Sequence, residues 1–295
     1  MKTLLRLLAL VGLLMLAVET SLGADTPTTT AGRKLKVFLL AGQSNMEGKG
    51  DGTKLTAEDR KRLMLAQPHV RLAENRQPVV PLNVTAASAG NKKRFGVDFT
   101  FGPELFFGLG LAEAWPNDDI LLIKRAVGAT SLYGRWNPDW TQEKATKMGE
   151  AGAEPLFNDL LAYVREVLVG RAPGDYEFCG MLWVQGEADG NEAKVGAEPA
   201  AAYGQNLQNL ITRIRRETGV ADLPFVMVEV GSDKVVAGMN ATAKLLPRVS
   251  VVPQGKDPVS PNFFPKHEVG HYNYEGQKRI GILAAQAFIK DFAAK

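Results

Sequence analysis

The stretch Leu35-Lys36-Val37-Phe38-Leu39-Leu40-Ala41-Gly42-Gln43-Ser44-Asn45-Met46 decides the architecture. It opens as a nearly continuous apolar run and ends abruptly in a glycine followed by polar residues. An unbroken run, without strict alternation, is the pattern of a parallel strand covered on both faces. Runs of the same kind recur at Ile120–Ala126, Phe178–Val184 and Phe225–Val230, with a weaker fifth at Val249–Pro253. Helical patterns lie between them, at Pro103–Trp115, Pro155–Val169 and Ala200–Glu217, and a last one closes the chain at Tyr274–Phe292. Pro103 and Pro155 stand where a first-turn proline is tolerated. The alternation predicts a three-layer α/β/α, doubly wound, flavodoxin-like domain around a mostly parallel five-stranded sheet. With no internal repeat and no linker, residues 35–295 read as one domain.

The amino terminus reads differently. Lys2 and Arg6 precede an apolar run from Leu7 to Val18, and small residues follow at Ser21, Gly23 and Ala24. This is the layout of a cleaved secretory signal, residues 1–24. Glu19 interrupts the run short of the roughly 20 apolar residues a membrane span needs. Residues 25–34 read as a flexible Thr-rich leader, and the expected destination is the exterior or the periplasm. Once the net +1 of Lys2, Arg6 and Glu19 is removed, the chain's net charge of +3 falls to +2. So small an excess, without a basic stripe, argues against a nucleic-acid partner. The single cysteine, Cys179, lies inside an apolar run and reads as a buried structural thiol.

Two long segments lack periodicity, Glu47–Gly102 and Tyr133–Glu154, apart from a small hairpin expected from Val70–Leu72 and Pro78–Leu82. Both follow predicted strand ends, where open α/β sheets place ligands. In the second, Tyr133, Trp136 and Trp140 suit either stacking on a ligand or loop packing. Arg135 and Lys49 suit either a substrate carboxylate or solvent.

Reaction-capable residues cluster at four places. Ser44 follows the first strand, where its hydroxyl is accessible, although a serine there also suits a helix cap. The small residues of Arg125-Ala126-Val127-Gly128-Ala129-Thr130-Ser131 let backbone N–H groups approach a developing oxyanion, or make a plain tight turn. In Trp183-Val184-Gln185-Gly186-Glu187, the Gln185 amide suits the same oxyanion and Glu187 suits orienting a neighbour, or both satisfy loop backbone. Glu268 stands three residues before His271, and a turn between them can fold the carboxylate onto the imidazole for general-base work.

In this order the blocks resemble the SGNH-hydrolase clan, and within it the sialate O-acetylesterase and carbohydrate esterase family 6 branch. Gly42-Gln43-Ser44-Asn45-Met46 resembles its nucleophile block, and Gly128-Ala129-Thr130-Ser131-Leu132 its second block. Trp183-Val184-Gln185-Gly186-Glu187 and Glu268-x-x-His271 resemble its third and closing blocks. The resemblance implies a serine esterase that releases acetate from carbohydrate through an acetyl-enzyme. Ser44, His271 and Glu268 would form the triad. Ser44, Gly128, Ala129 and Gln185 would form the oxyanion hole, supported by Gln43, Asn45 and Glu187. It implies an acetylated carbohydrate as partner and neither cofactor nor metal. Ala129 departs from the usual second glycine, and Glu268 from the usual aspartate.

Two competing readings stand beside it. His267-Glu268-Val269-Gly270-His271 fits the H-E-x-x-H pattern of zinc metallopeptidases, which works only on a continuous helix. Pro265 and Gly270 argue against such a helix. The other is a non-catalytic sugar-binding module on the same fold.

Overall fold

The computed structural model describes residues 34–293, so the expected signal 1–24 and all of the leader but Lys34 lie outside the described residues. The strands, in chain order, are β1 (Leu35–Gly42), β2 (Gly50–Asp51), β3 (Val70–Glu74), β4 (Val80–Pro81) and β5 (Thr85–Ala86). They continue as β6 (Phe99–Phe101), β7 (Ile120–Ala126), β8 (Tyr176–Val184), β9 (Phe225–Val228) and β10 (Val249–Val252). The main sheet runs β10-β9-β8-β1-β7-β3-β4, and a small one runs β2-β6-β5.

All five expected strands are present and parallel to their neighbours. The main sheet nevertheless has seven strands where the sequence suggested five. The expected hairpin does pair Leu72 with Val80, but β3 also joins β7 in parallel, Val70 opposite Ile120. Arg71 breaks the apolar run of β3, so its register along β7 is visible only in three dimensions. The small sheet and the helix Asp233–Leu245 have no counterpart among the sequence-based elements.

Strand order reverses at β1, which has β7 on one side and β8 on the other. In an open α/β sheet such a reversal opens a crevice at the carboxyl end of the strand. Neighbouring side chains of β1 face opposite layers. Phe38 meets Phe107 of the helix Pro103–Ala114 and Phe288 of the helix Tyr274–Ala293 edge-on, each with centroids 5.6 Å apart. Leu39 faces Leu161 and Val164 of the helix Leu156–Val167. Gly180 is in register with Phe38, and a Cβ there would lie 2.1 Å from the Phe288 ring. Only a glycine lets that ring reach the sheet.

Cys179 is a buried free thiol, its pKa pushed up to about 12 by burial. No helix among the described residues is long and apolar enough to cross a membrane.

Candidate active site

Ser44 begins a single helical turn, Ser44–Glu47, at the carboxyl end of β1. Gly42 makes this possible: its φ is +152°, and a Cβ would stand 2.1 Å from the Val184 carbonyl oxygen. The turn is tied down on several sides. Gln43 N–H donates to Val184 O at 3.1 Å. The buried Asn45 donates to Glu187 Oε1 at 2.5 Å, while its Oδ1 accepts the Tyr272 N–H at 3.1 Å. Beneath, the fully buried Lys124 ammonium holds Glu104 and Glu74 at 2.7 Å each and donates to Glu47 O at 3.0 Å. Three acceptors around one buried ammonium compensate its desolvation.

The loop after β7 is clamped with equal density. Asp189 accepts the Leu132 and Tyr133 N–H groups, both at 2.8 Å. Glu150 accepts Ser131 N–H at 2.7 Å and Ser131 O–H at 2.9 Å. Burial raises the pKa of both acids, that of Asp189 to about 7. Gln185 belongs to this clamp. Its Nε2 donates to Asp189 Oδ2 at 2.7 Å, Thr130 O at 3.0 Å and Gln43 Oε1 at 3.3 Å. The residue is fully buried and off the cavity wall. An amide nitrogen carries two hydrogens, and both are committed to these acceptors. The structure thus does not bring the Gln185 amide onto the cavity wall beside Ser44; the side chain holds the loop.

Gly128 and Ala129 do line the cavity beside Ser44. Ala129 sits at φ +57°, the left-handed region that favours glycine. The Gly128 N–H donates to Glu47 Oε1 at 2.9 Å, and Glu47 Oε2 pairs with Lys49 at 3.0 Å.

His271 arrives from 227 positions away and places Nε2 at 2.9 Å from Ser44 Oγ. It sits on a turn closed by Gly270 N–H to His267 O and by His267 N–H to His271 O, both 2.9 Å, with φ +80° at Gly270 and +66° at His271. Phe95 packs edge-on against the imidazole, centroids 5.5 Å apart. Glu268 lies exposed on this turn, and the buried His271 Nδ1 has no hydrogen-bond partner among the described residues. The expected Glu268–His271 contact is corrected accordingly, because the turn displays the carboxylate to solvent instead of folding it onto the ring. Glu187 bonds Asn45 instead, and burial raises its pKa. Burial, then the positive charges of Arg94 and Lys49, lower the pKa of His271, while Glu47 opposes them. This lowering favours the neutral imidazole, the form able to accept a proton.

The H-E-x-x-H reading fails on geometry. Its residues form a turn bracketed by an antiparallel Lys266–Tyr272 bridge, not a helix. His267 Nε2 lies 2.8 Å from Lys49 O, and a carbonyl only accepts, so that nitrogen carries its proton and offers no lone pair to a metal.

The cavity over Ser44 and His271 has a volume of about 520 Å³. Its wall includes Glu47, Lys49, Arg94, Phe95, Glu150 and Lys194. Of these, sequence reasoning had singled out only Lys49, and it had not found Asp189. Asp189 lies four residues beyond Gln185, a spacing that offered some signal; Arg94 and Phe95 offered none. Trp136 is fully buried against Trp183, its Nε1 donating to Thr130 Oγ1 at 3.0 Å, so it packs the loop. Tyr133 and Trp140 are likewise off the cavity wall, and Arg135 donates to Glu154 O at 2.9 Å.

Comparison with known proteins bears on this geometry. Residues 34–290 match the family described as carbohydrate esterase, sialic acid-specific acetylesterase. The chain is 26% identical over 262 residues to a protein of Arabidopsis thaliana named as a probable carbohydrate esterase, covering 87% of this chain and 91% of that one. An Arabidopsis thaliana crystal structure superposes with TM-score 0.62 at 20% identity, over 88% of this chain and 99% of that one. NanS superposes with TM-score 0.59 at 16% identity, over 89% and 99%. A carbohydrate acetylesterase from Xanthomonas citri gives 0.51 at 16%, over 85% of this chain and 55% of that one. The fold and the family match together define a carboxylic ester hydrolase of the α/β type. The chain belongs to the carbohydrate esterase family of sialic acid-specific acetylesterases.

Proposed function

We propose that the protein removes O-acetyl groups from carbohydrate hydroxyls through an acetyl-enzyme on Ser44. The observation that carries this reading is the 2.9 Å approach of His271 Nε2 to Ser44 Oγ at the switch point of the sheet. Ser44 Oγ attacks the acetyl carbonyl carbon while its proton passes to His271 Nε2. The oxyanion is held by the N–H groups of Ser44, at the start of a helical turn, and of Ala129, since Glu47 already engages that of Gly128. As the intermediate collapses, His271 returns the proton to the departing sugar oxygen. A water molecule, deprotonated by His271, then releases acetate and restores Ser44. Among the described residues no carboxylate meets His271 Nδ1, so in this reading Ser44 and His271 work as a dyad. Residues 1–24 serve in this reading as an export signal, which mass spectrometry of the secreted chain's amino terminus would test.

The decisive test is Ser44→Ala. Folded mutant protein, checked by its melting profile, should lose acetate release from acetylated glycans and from 4-nitrophenyl acetate by about 10³-fold or more. Turnover near the wild-type rate would refute a serine nucleophile.

A further inference from the structure

A second cavity, of about 750 Å³, adjoins the catalytic one. Both are bordered by Glu47, Lys49 and Asn91, so those three side chains form a shared rim. The second cavity is built by the expected hairpin, at the end of β3 and β4, and by segments that the sequence left unassigned: β5, β6 and the start of the helix Ala89–Phe95. Its volume falls within the roughly 300–1,000 Å³ usual for small-ligand pockets.

Its lining specifies a chemistry. Gln77, Thr85, Ser88 and Asn91 offer amide and hydroxyl groups, while Leu72 and Pro78 supply apolar surface. The charged side chains on its wall are Glu47, Lys49 and Glu74. Glu47 pairs with Lys49 at 3.0 Å and Glu74 with Lys124 at 2.7 Å, so each charge has its counterpart within the protein. A wall of compensated charge, hydroxyl and amide groups and apolar patches suits neutral sugar rings, which present hydroxyls at their edges and C–H groups on their faces. An anion would find no unpaired cation there, in contrast to the catalytic cavity with Arg94 and Lys194.

We propose that the second cavity is a subsite for the neutral sugar residues next to the acetylated one, so that the protein works on acetylated oligosaccharide chains in preference to free monosaccharides. This rests on the carbohydrate-esterase reading of Ser44 and His271. The acetylated ring would occupy the catalytic cavity, and the chain would pass the Glu47–Lys49–Asn91 rim into the second.

The test uses matched O-acetylated mono- and tetrasaccharides of xylose, mannose, glucose and N-acetylneuraminic acid, with 4-nitrophenyl acetate as a chain-independent substrate. Ala86 and Gln77 are exposed on the cavity wall, away from the reacting groups, and Ala86→Trp and Gln77→Trp fill the space. For at least one neutral sugar, wild-type kcat/KM should be about tenfold or more higher on the tetrasaccharide, mostly through KM. Each tryptophan variant should lose that gain while staying within about twofold of wild type on 4-nitrophenyl acetate. Equal kcat/KM for mono- and tetrasaccharide in all four pairs would overturn the proposal. So would a gain confined to the N-acetylneuraminic acid pair, or one that survives both tryptophan variants. Calorimetry of Ser44→Ala with the unacetylated tetrasaccharides separates the two claims. Binding that Ala86→Trp abolishes supports the subsite even if wild-type protein releases no acetate, a result that would sink only the esterase reading.

Discussion

The two halves of the site are held in different ways. On the Ser44 side, the serine and the loop after β7 are pinned by Asn45, Gln185, Asp189 and Glu150, each buried and each with hydrogen-bond partners. On the His271 side, the imidazole rides a turn with positive φ, an exposed acid beside it and an Nδ1 unpartnered among the described residues. What orients the imidazole there is Ser44 itself, the Phe95 ring, and the Tyr272 N–H anchored on Asn45. The contrast teaches that dense hydrogen bonding is concentrated around Ser44 and the loop after β7. Among the described residues, His271 is placed by packing and backbone, not by a carboxylate.

The comparison breaks most sharply at His271 against Glu268. His271→Ala should lower kcat/KM by about 10³–10⁴-fold or more, since the proton has no other acceptor. Glu268→Gln should stay within a few-fold of wild type, because its carboxylate faces solvent. A loss of about 10⁴-fold in Glu268→Gln, the scale of a disabled triad acid, would show that the turn closes on the ring during turnover. His267→Ala and chelator treatment should leave activity within a few-fold.

Gln185 probes the other half. Gln185→Ala strips Asp189 Oδ2 and Thr130 O of a buried donor, so it should cost about 1–3 kcal/mol of stability. A pure oxyanion donor would instead lower kcat by about 10²–10³-fold with the denaturation midpoint unmoved. Equilibrium unfolding beside steady-state kinetics distinguishes the two roles.

The smallest expected effect is a shift of the pH profile. His271 must be neutral to act, and its pKa lies below the ordinary 6.5, chiefly through burial and then through Arg94 and Lys49. Activity should therefore rise with pH and reach its plateau by neutrality, with a midpoint under that value. Arg94→Ala removes one cation that disfavours the imidazolium, so the midpoint should move to higher pH. A shift to lower pH, measured as log kcat/KM against pH, would mean that Arg94 does not act on His271 through its charge.

Much of the architecture was legible in one dimension. The continuous apolar runs of β1, β7, β8 and β9 announce parallel strands buried on both faces, because such strands admit no polar alternation. Ser44 at the end of the first run and Gly128 at the end of the second were equally readable, since strand ends at a sheet's crevice are where chemistry sits. The short strands β2, β5 and β6 left little trace, because two or three residues carry no period to detect.

The sequence by itself thus determined the layer arrangement and the positions that reach the crevice, both of which follow from local hydrophobic pattern. Only the tertiary structure decided what those positions do. Sequence spacing put Glu268 near His271, but the backbone turn sends its side chain outward. Proximity to a strand end put Gln185 near the oxyanion, but Asp189 and Thr130 claim its amide hydrogens. Arg94 and the second cavity are brought to His271 and Ser44 across long separations in the chain. Hydrogen bonds and charges act over a few ångströms of space, a distance that separation along the chain does not encode.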